Sequence, residues 1–153
     1  MKTKLSFICT SVFGIGFIPF ASGTWGSLFA VIAYYLLVNY VSFTVLLFLI
    51  ALTTVITVLA SNIIIPNNTS DPKHIVLDEV VGMWITCLFI TDTTQILWFA
   101  LAFILFRILD VTKIPPINLL EKLHGGTGIV ADDIGAGLLG GLILLLTTVT
   151  QLV

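Results

Sequence analysis

The sequence predicts an all-α fold: a polytopic integral membrane helical bundle of about five membrane helices, preceded by an N-terminal interfacial or re-entrant segment. Three observations lead there. The chain is 58% hydrophobic and 9% charged, whereas soluble domains carry about 25% charged residues. Its mean hydropathy is +1.18. The apolar residues fall into long runs without period-2 alternation, and a lone apolar span must satisfy its own backbone hydrogen bonds, which a helix does. The 153 residues read as one domain, 1–153.

Each element follows in order. Residues 1–23, MKTKLSFICTSVFGIGFIPFASG, mimic a signal peptide, with Lys2 and Lys4 ahead of an apolar run. Gly14, Gly16 and Pro19 interrupt that run, and the GTWGSL segment behind it needs upstream support. An uncleaved interfacial or re-entrant segment is therefore expected. Apolar runs then cover 28–41 and 43–65, the second stopped by Pro66-Asn67-Asn68. A polar loop leads to Lys73, and the third run covers 80–90. Thr91-Asp92-Thr93-Thr94 makes a turn before the fourth run, 96–109. A polar stretch, 110–133, holds Pro115-Pro116 and Gly125-Gly126, and the fifth run is 134–149. A full span takes about 20 residues, and the third and fourth runs are shorter. Their helices must extend through their polar ends, which draws Asp78, Glu79 and Asp110 toward the bilayer.

Threading five helices puts the N-terminus, the 66–79 loop and the 110–133 loop on one side. All six basic residues, Lys2, Lys4, Lys73, Arg107, Lys113 and Lys122, lie on that side or its helix ends. The positive-inside bias makes it cytoplasmic. Asp78, Glu79, Asp110, Asp132 and Asp133 fall on the same side, while Asp92 lies on the far turn. In the last run Gly137 and Gly141, with Ala136 and Gly140 beside them, have the spacing of a close-packing helix face. The net charge of -2 and the lack of a basic run give no sign of nucleic acid. Cys9 and Cys87 lie in apolar sequence without a CxxC pattern and read as ordinary buried residues.

A carboxylate at the edge of hydrocarbon is costly without a partner or a task. Oxygen-rich, thiol-free surroundings suit Mg²⁺, Mn²⁺ or Ca²⁺, so Asp78, Glu79, Asp132 and Asp133 are candidate metal ligands, and Asp110 joins them as a candidate catalytic carboxylate. Arg107, Asp110 and Lys113 are spaced i, i+3, i+6 on one helix face, and Lys73 sits in the facing loop. Cations that clamp phosphate oxygens beside a polarising metal describe a phosphate-handling site. Thr24 and Ser27, in Ser22-Gly23-Thr24-Trp25-Gly26-Ser27, could hold an anion at a helix N-terminus. His124 is a candidate proton donor or phosphate contact. The plain alternatives are caps and pairs: Asp78 or Asp132 as N-caps, Asp110 paired with Arg107 or Lys113, His124 an ordinary loop histidine, and Ser22–Ser27 a simple helix entry. Neither GxxxxGK[ST] nor GxGxxG occurs.

At these residues the chain resembles the bacterial phosphatidylglycerophosphatase A family. The matching stretches are SGTWGSL (22–28), DPKHIVLDEVVGMWI (71–85), FRILDVTKIPPI (106–117) and HGGTGIVADDIGAG (124–137), about a third of the chain, in family order. Where the family has Lys-Pro-x-Pro, this chain reads Lys113-Ile114-Pro115-Pro116, so the loop there is expected to differ in shape. The resemblance implies a Mg²⁺-dependent phosphatase in the bacterial inner (cytoplasmic) membrane. It would convert phosphatidylglycerophosphate to phosphatidylglycerol with its active site facing the cytoplasm. Its partner is a phospholipid substrate in the bilayer, and no protein partner is expected. A metal-activated water is the favoured nucleophile, with an aspartyl-phosphate route as the alternative. The rival reading is a cation transporter or channel, since intramembrane carboxylates also mark ion paths. It accounts for Asp78 and Glu79 but not for the one-sided Lys and Arg residues. A membrane scaffold would use the carboxylates only structurally, and the DG-AR-G-D-D pattern of CDP-alcohol phosphotransferases is absent.

Overall fold

The computed structural model describes residues 2–65 and 74–150, and every regular element among them is helical. The order is α1 (Lys2–Thr10), a 3-10 turn (Ile15–Phe17), α2 (Ser22–Val38), α3 (Phe43–Ile64), α4 (Leu77–Cys87), α5 (Ile96–Thr112), α6 (Ile117–Leu120) and α7 (Gly126–Thr150). The all-α expectation holds. Two of the five expected membrane helices have full crossing length: α3 with 22 residues and α7 with 25 are long and apolar enough to span a bilayer. α2, α4 and α5 have 17, 11 and 17 residues. The outer face of α3 exposes Phe48, Leu52, Val55 and Leu59. An apolar surface of that extent needs a cover, and with two helices of crossing length it points to a membrane protein.

Contacts between helices give their directions. Trp84 Nε1 donates to the Ala30 carbonyl at 2.9 Å, while Gly26 lies against Val76, so α2 and α4 run parallel. Thr86 Oγ1 donates to the Gly82 carbonyl at 3.0 Å and the Gly137 carbonyl at 3.2 Å, and Phe89 covers Gly141, so α4 and α7 are parallel too. α5 runs against them, with Arg107 at Ser27 and Phe99 at Tyr35. α3 meets the start of α7 at its own last turn, through Asn62. The starts of α2, α4 and α7 and the ends of α3 and α5 thus share one end of the bundle.

Helix boundaries differ from the apolar runs in ways that matter for the site. The last helix starts at Gly126, not at 134, so Asp132 and Asp133 sit inside α7 rather than at its opening. Asn62 Oδ1 accepts from the Gly126 backbone N–H at 2.8 Å, supplying from α3 the partner that a helix start lacks. α5 runs on to Thr112 and stops where Lys113 takes a left-handed conformation, φ 45°. The N-terminal segment is a nine-residue helix and a turn, packed on α3 and α4. The Val76 N–H donates to the Thr10 carbonyl at 2.8 Å and ties this segment to the approach of α4.

At the opposite end, Asp92 closes the turn between α4 and α5. It accepts from the Thr94 hydroxyl at 2.6 Å, the Thr94 N–H at 3.0 Å and Gln95 Nε2 at 2.6 Å. The Thr94 hydrogen bonds, with help from Gln95, hold its carboxyl below the usual carboxylate range. A depressed pKa means this turn is supported at neutral pH and loses that support as pH falls through the lowered value.

Candidate active site

Two helices carry the central carboxylates. α4 presents Asp78 and Glu79 in its first turn, and α7 presents Asp133. Asp78 and Asp133 are each only 4% exposed. One oxygen from each of Asp78, Glu79 and Asp133 lies within 4.8 Å of the others. Small residues make the meeting possible. Gly82 is one turn beyond Asp78, Gly137 is one turn beyond Asp133, and a Cβ on Gly137 would strike the Gly82 carbonyl. The α4 and α7 backbones therefore touch, and their carboxylates are brought together by that contact. A Cβ on Gly23 of α2 would meet the Glu79 carboxylate and shift that side chain.

The cluster is only partly compensated from within. Among the described residues, Glu79 Oε2 and Asp133 Oδ1 are buried without a hydrogen-bond partner, and none of the three carboxylates forms a salt bridge. The Glu79 N–H donates to Asp78 Oδ1 at 3.0 Å. Like charges this close repel one another, and a cation among them would offset that repulsion. Three hard oxygen donors with free lone pairs fit a divalent cation such as Mg²⁺.

The cations lie in a second ring. Arg107 Nη1 donates to Asp110 Oδ2 at 2.5 Å and to Ser27 Oγ at 3.4 Å, and the Ser27 hydroxyl donates to the Gly23 carbonyl at 2.8 Å. Lys113 Nζ bridges Asp132 Oδ2 at 2.8 Å and Glu121 Oε1 at 2.9 Å. Partial burial pulls the Lys113 ammonium down, but the Asp132 and Glu121 carboxylates outweigh it and hold its pKa above the usual lysine range. Asp132 is thus tied to Lys113, and its Oδ1 has no hydrogen-bond partner among the described residues.

A cavity of about 590 Å³ opens beside Glu79 and Arg107. Ser22 and Gly23 of α2 form one wall, and the 16–21 segment and His74 form another. Of the remaining candidates, Thr24 is half-buried in the first turn of α2. His124 is exposed and does not line the cavity; its carbonyl accepts from the Thr127 hydroxyl at 2.6 Å. Lys73 lies outside the described residues.

His74 is a cavity residue that sequence reasoning did not single out. Its ring stacks on Phe17 (centroids 5.6 Å apart, planes at 10°) and packs on Phe7 at 4.9 Å. Its Nε2 is buried with no hydrogen-bond partner among the described residues. Gly16 lies against the His74 carbonyl. His74 therefore fastens the N-terminal segment over the cavity. The signal in the sequence was its place four residues before Asp78, in the same stretch as the carboxylates.

The arrangement offers clustered carboxylates for a cation and an arginine for an anion, with Glu79 and Arg107 on one cavity that Thr24 and Ser27 do not line. A model of the phosphatidylglycerophosphatase A family matches residues 8–148. A Bacteroides thetaiotaomicron protein provisionally named a phosphatidylinositol-3-phosphatase is 39% identical over 82% of this chain and 82% of its own length. Phosphatidylglycerophosphatase A of Escherichia coli is 38% identical over 86% of this chain and 77% of its own. The Haemophilus influenzae protein of the same name is 35% identical over 82% of this chain and 78% of its own. No solved structure matches the chain significantly.

Proposed function

The chain belongs to the phosphatidylglycerophosphatase A family, and from that membership we propose that this phosphatase hydrolyses phosphatidylglycerophosphate to phosphatidylglycerol and inorganic phosphate. The reaction is proposed to need Mg²⁺ and to take place at the cytoplasmic face of the bacterial inner membrane. The observation that carries the reading is the buried Asp78–Glu79–Asp133 cluster beside a cavity walled by Arg107.

Asp78, Glu79 and Asp133 would hold the metal, with Asp132 oriented next to them by Lys113. A bound Mg²⁺ supplies a Lewis acid that polarises phosphoryl oxygens and offsets the charge that develops on them. Arg107 binds the phosphate from the other side; its planar fork suits phosphate oxygens. Asp110 and the Ser27 hydroxyl hold that guanidinium in place. In the hydrolysis a water oxygen joins phosphorus and the bond from phosphorus to the glycerol oxygen breaks. The glycerol oxygen leaves as a lipid hydroxyl after taking a proton.

The name of the Bacteroides relative supports a second substrate of the same class, phosphatidylinositol 3-phosphate. Phosphate release by purified protein in detergent decides between them. Turnover is expected with phosphatidylglycerophosphate and Mg²⁺, little with the inositol lipid, and none after EDTA. Full activity after exhaustive chelation would remove the metal from the proposal, and a reversed substrate preference would replace the lipid.

Orientation is testable on a background with Cys9 and Cys87 changed to alanine. Thr127→Cys, at the carboxylate end, should react with a membrane-impermeant maleimide only after the cells are opened. Tyr40→Cys, in the exposed turn after α2, should react from outside. The opposite pattern would turn the active site to the periplasm.

A further inference from the structure

Between α2 and α5 runs a second cavity, of about 430 Å³, whose lining is wholly apolar. On α2 it is bordered by Leu28, Val31, Ile32 and Tyr35, spaced i, i+3, i+4, i+7. On α5 it is bordered by Ile96, Phe99, Ala100, Phe103 and Ile104, a stripe with the same spacing. Val31 and the 3%-exposed Phe99 make the floor. Phe99 is held there by Tyr35 edge-on at 5.0 Å and by Tyr34 at 6.4 Å.

Both stripes turn polar at the same level. The α2 stripe continues backward to Ser27 and Thr24, and the α5 stripe continues forward to Arg107. Ser27 and Arg107 are in contact there, and Arg107 lines the carboxylate cavity. From Arg107 back to Ile96 the helix rises about 16 Å, close to one leaflet of a roughly 30 Å hydrocarbon core. The groove's own lining stops at Leu28 and Ile104, about one helical turn short of Arg107, and an apolar groove whose two stripes lead toward an arginine matches one amphiphile: a phosphate head with an acyl chain running down from it.

We propose that the α2–α5 groove is the acyl-chain subsite of the enzyme, holding one chain of the lipid whose phosphate is bound at Arg107. This rests on the lipid-phosphatase reading. The chain's occupancy fixes which phosphomonoester is presented to the carboxylates, and it makes a diacyl lipid a better substrate than its soluble head.

Ala100→Phe fills the groove from a residue that touches no carboxylate. For a dioleoyl phosphatidylglycerophosphate the KM should rise at least about tenfold, since several methylenes lose their contacts. For the dihexanoyl analogue the KM should stay at the wild-type value. Leu52→Phe, on the exposed face of α3, should change neither. Equal loss on both chain lengths, or no change on the long one, overturns the subsite. A second readout does not depend on turnover. A phosphatidic acid with a diazirine in its acyl chain, photolysed with wild-type protein in phosphatidylcholine nanodiscs, should mark Ile32, Tyr35 and Ala100. Unlabelled phosphatidic acid should compete this marking and extra phosphatidylcholine should not. Uncompeted adducts spread equally over α3 would mean ordinary boundary lipid and end the proposal. Competed groove adducts in a protein that releases no phosphate from phosphatidylglycerophosphate would uphold the groove and discard the substrate.

Discussion

Asp133→Asn should lower turnover by at least about 100-fold, the scale of losing one preorganised electrostatic stabiliser, and should leave the protein folded. The amide has the size of the carboxyl, so packing of this 4%-exposed side chain changes little. It lacks the charge, so the cluster with Asp78 and Glu79 holds a divalent cation less well. Removing one of three crowded like charges also relieves repulsion, so the metal-free protein should melt no lower than the wild type. Phosphate release and a thermal melt in EDTA read the two effects separately. Asp132→Asn should be the milder change, because that carboxylate is already paired with Lys113, an ammonium it shares with Glu121. Asp92→Asn, at the other end of the bundle, should be near neutral for turnover. Near-normal activity of both Asp132 and Asp133 variants would reduce the carboxylates to structural pairs.

The helical class and the one-ended gathering of charge were legible in the sequence because hydropathy and the placement of Lys and Arg carry both. The alternation of the runs fixed which polar segments meet, and Asp78, Glu79 and Asp133 do meet. What hydropathy could not supply was the start of α7. Gly125, Gly126 and Gly128 are turn residues by propensity, and Asp132-Asp133 look like a polar boundary. The helix begins among them because Asn62, 64 residues earlier, receives the Gly126 N–H. That is a tertiary contact with no local trace. The division of labour among the carboxylates was hidden for a similar reason. Lys113 read as a phosphate ligand, yet its left-handed backbone at the end of α5 directs it to Asp132 and Glu121. The N-terminal segment read as interfacial from its broken apolarity. Its role as a cavity wall depends on His74 stacking with Phe17, which periodicity does not encode.

Gly137→Ala should lower both stability and turnover, which distinguishes it from the amide variants. The added Cβ would overlap the Gly82 carbonyl and lie 3.1–3.2 Å from the Gly82 carbonyl carbon and Cα. These are backbone atoms of a packed helix and cannot rotate away. Overpacking of this kind costs about 1–3 kcal/mol, so the melting temperature should fall. The chemical consequence follows from register. Asp133 is one turn before Gly137, and Asp78 is one turn before Gly82, so any separation of α4 from α7 at the glycine seam also separates the carboxylates. A displacement of about 1 Å in a catalytic constellation can cost about 100-fold. Raised Mg²⁺ should recover part of the lost turnover, because the ligands remain present but farther apart. Gly140→Ala is the internal control. It lies on the same helix, but a Cβ there would meet Leu109 at 3.4 Å, Thr86 at 3.5 Å and the Phe106 nitrogen at 3.6 Å, all ordinary contacts. It should keep its activity, and its melting temperature should hold or rise, since alanine favours a helix interior by roughly 0.5–1 kcal/mol over glycine. If Gly137→Ala melts and turns over like the wild type, the α4–α7 backbone contact is not what assembles the site. If Gly140→Ala fails as badly, the whole face resists any side chain and the specific register of Gly137 on Gly82 carries no chemistry.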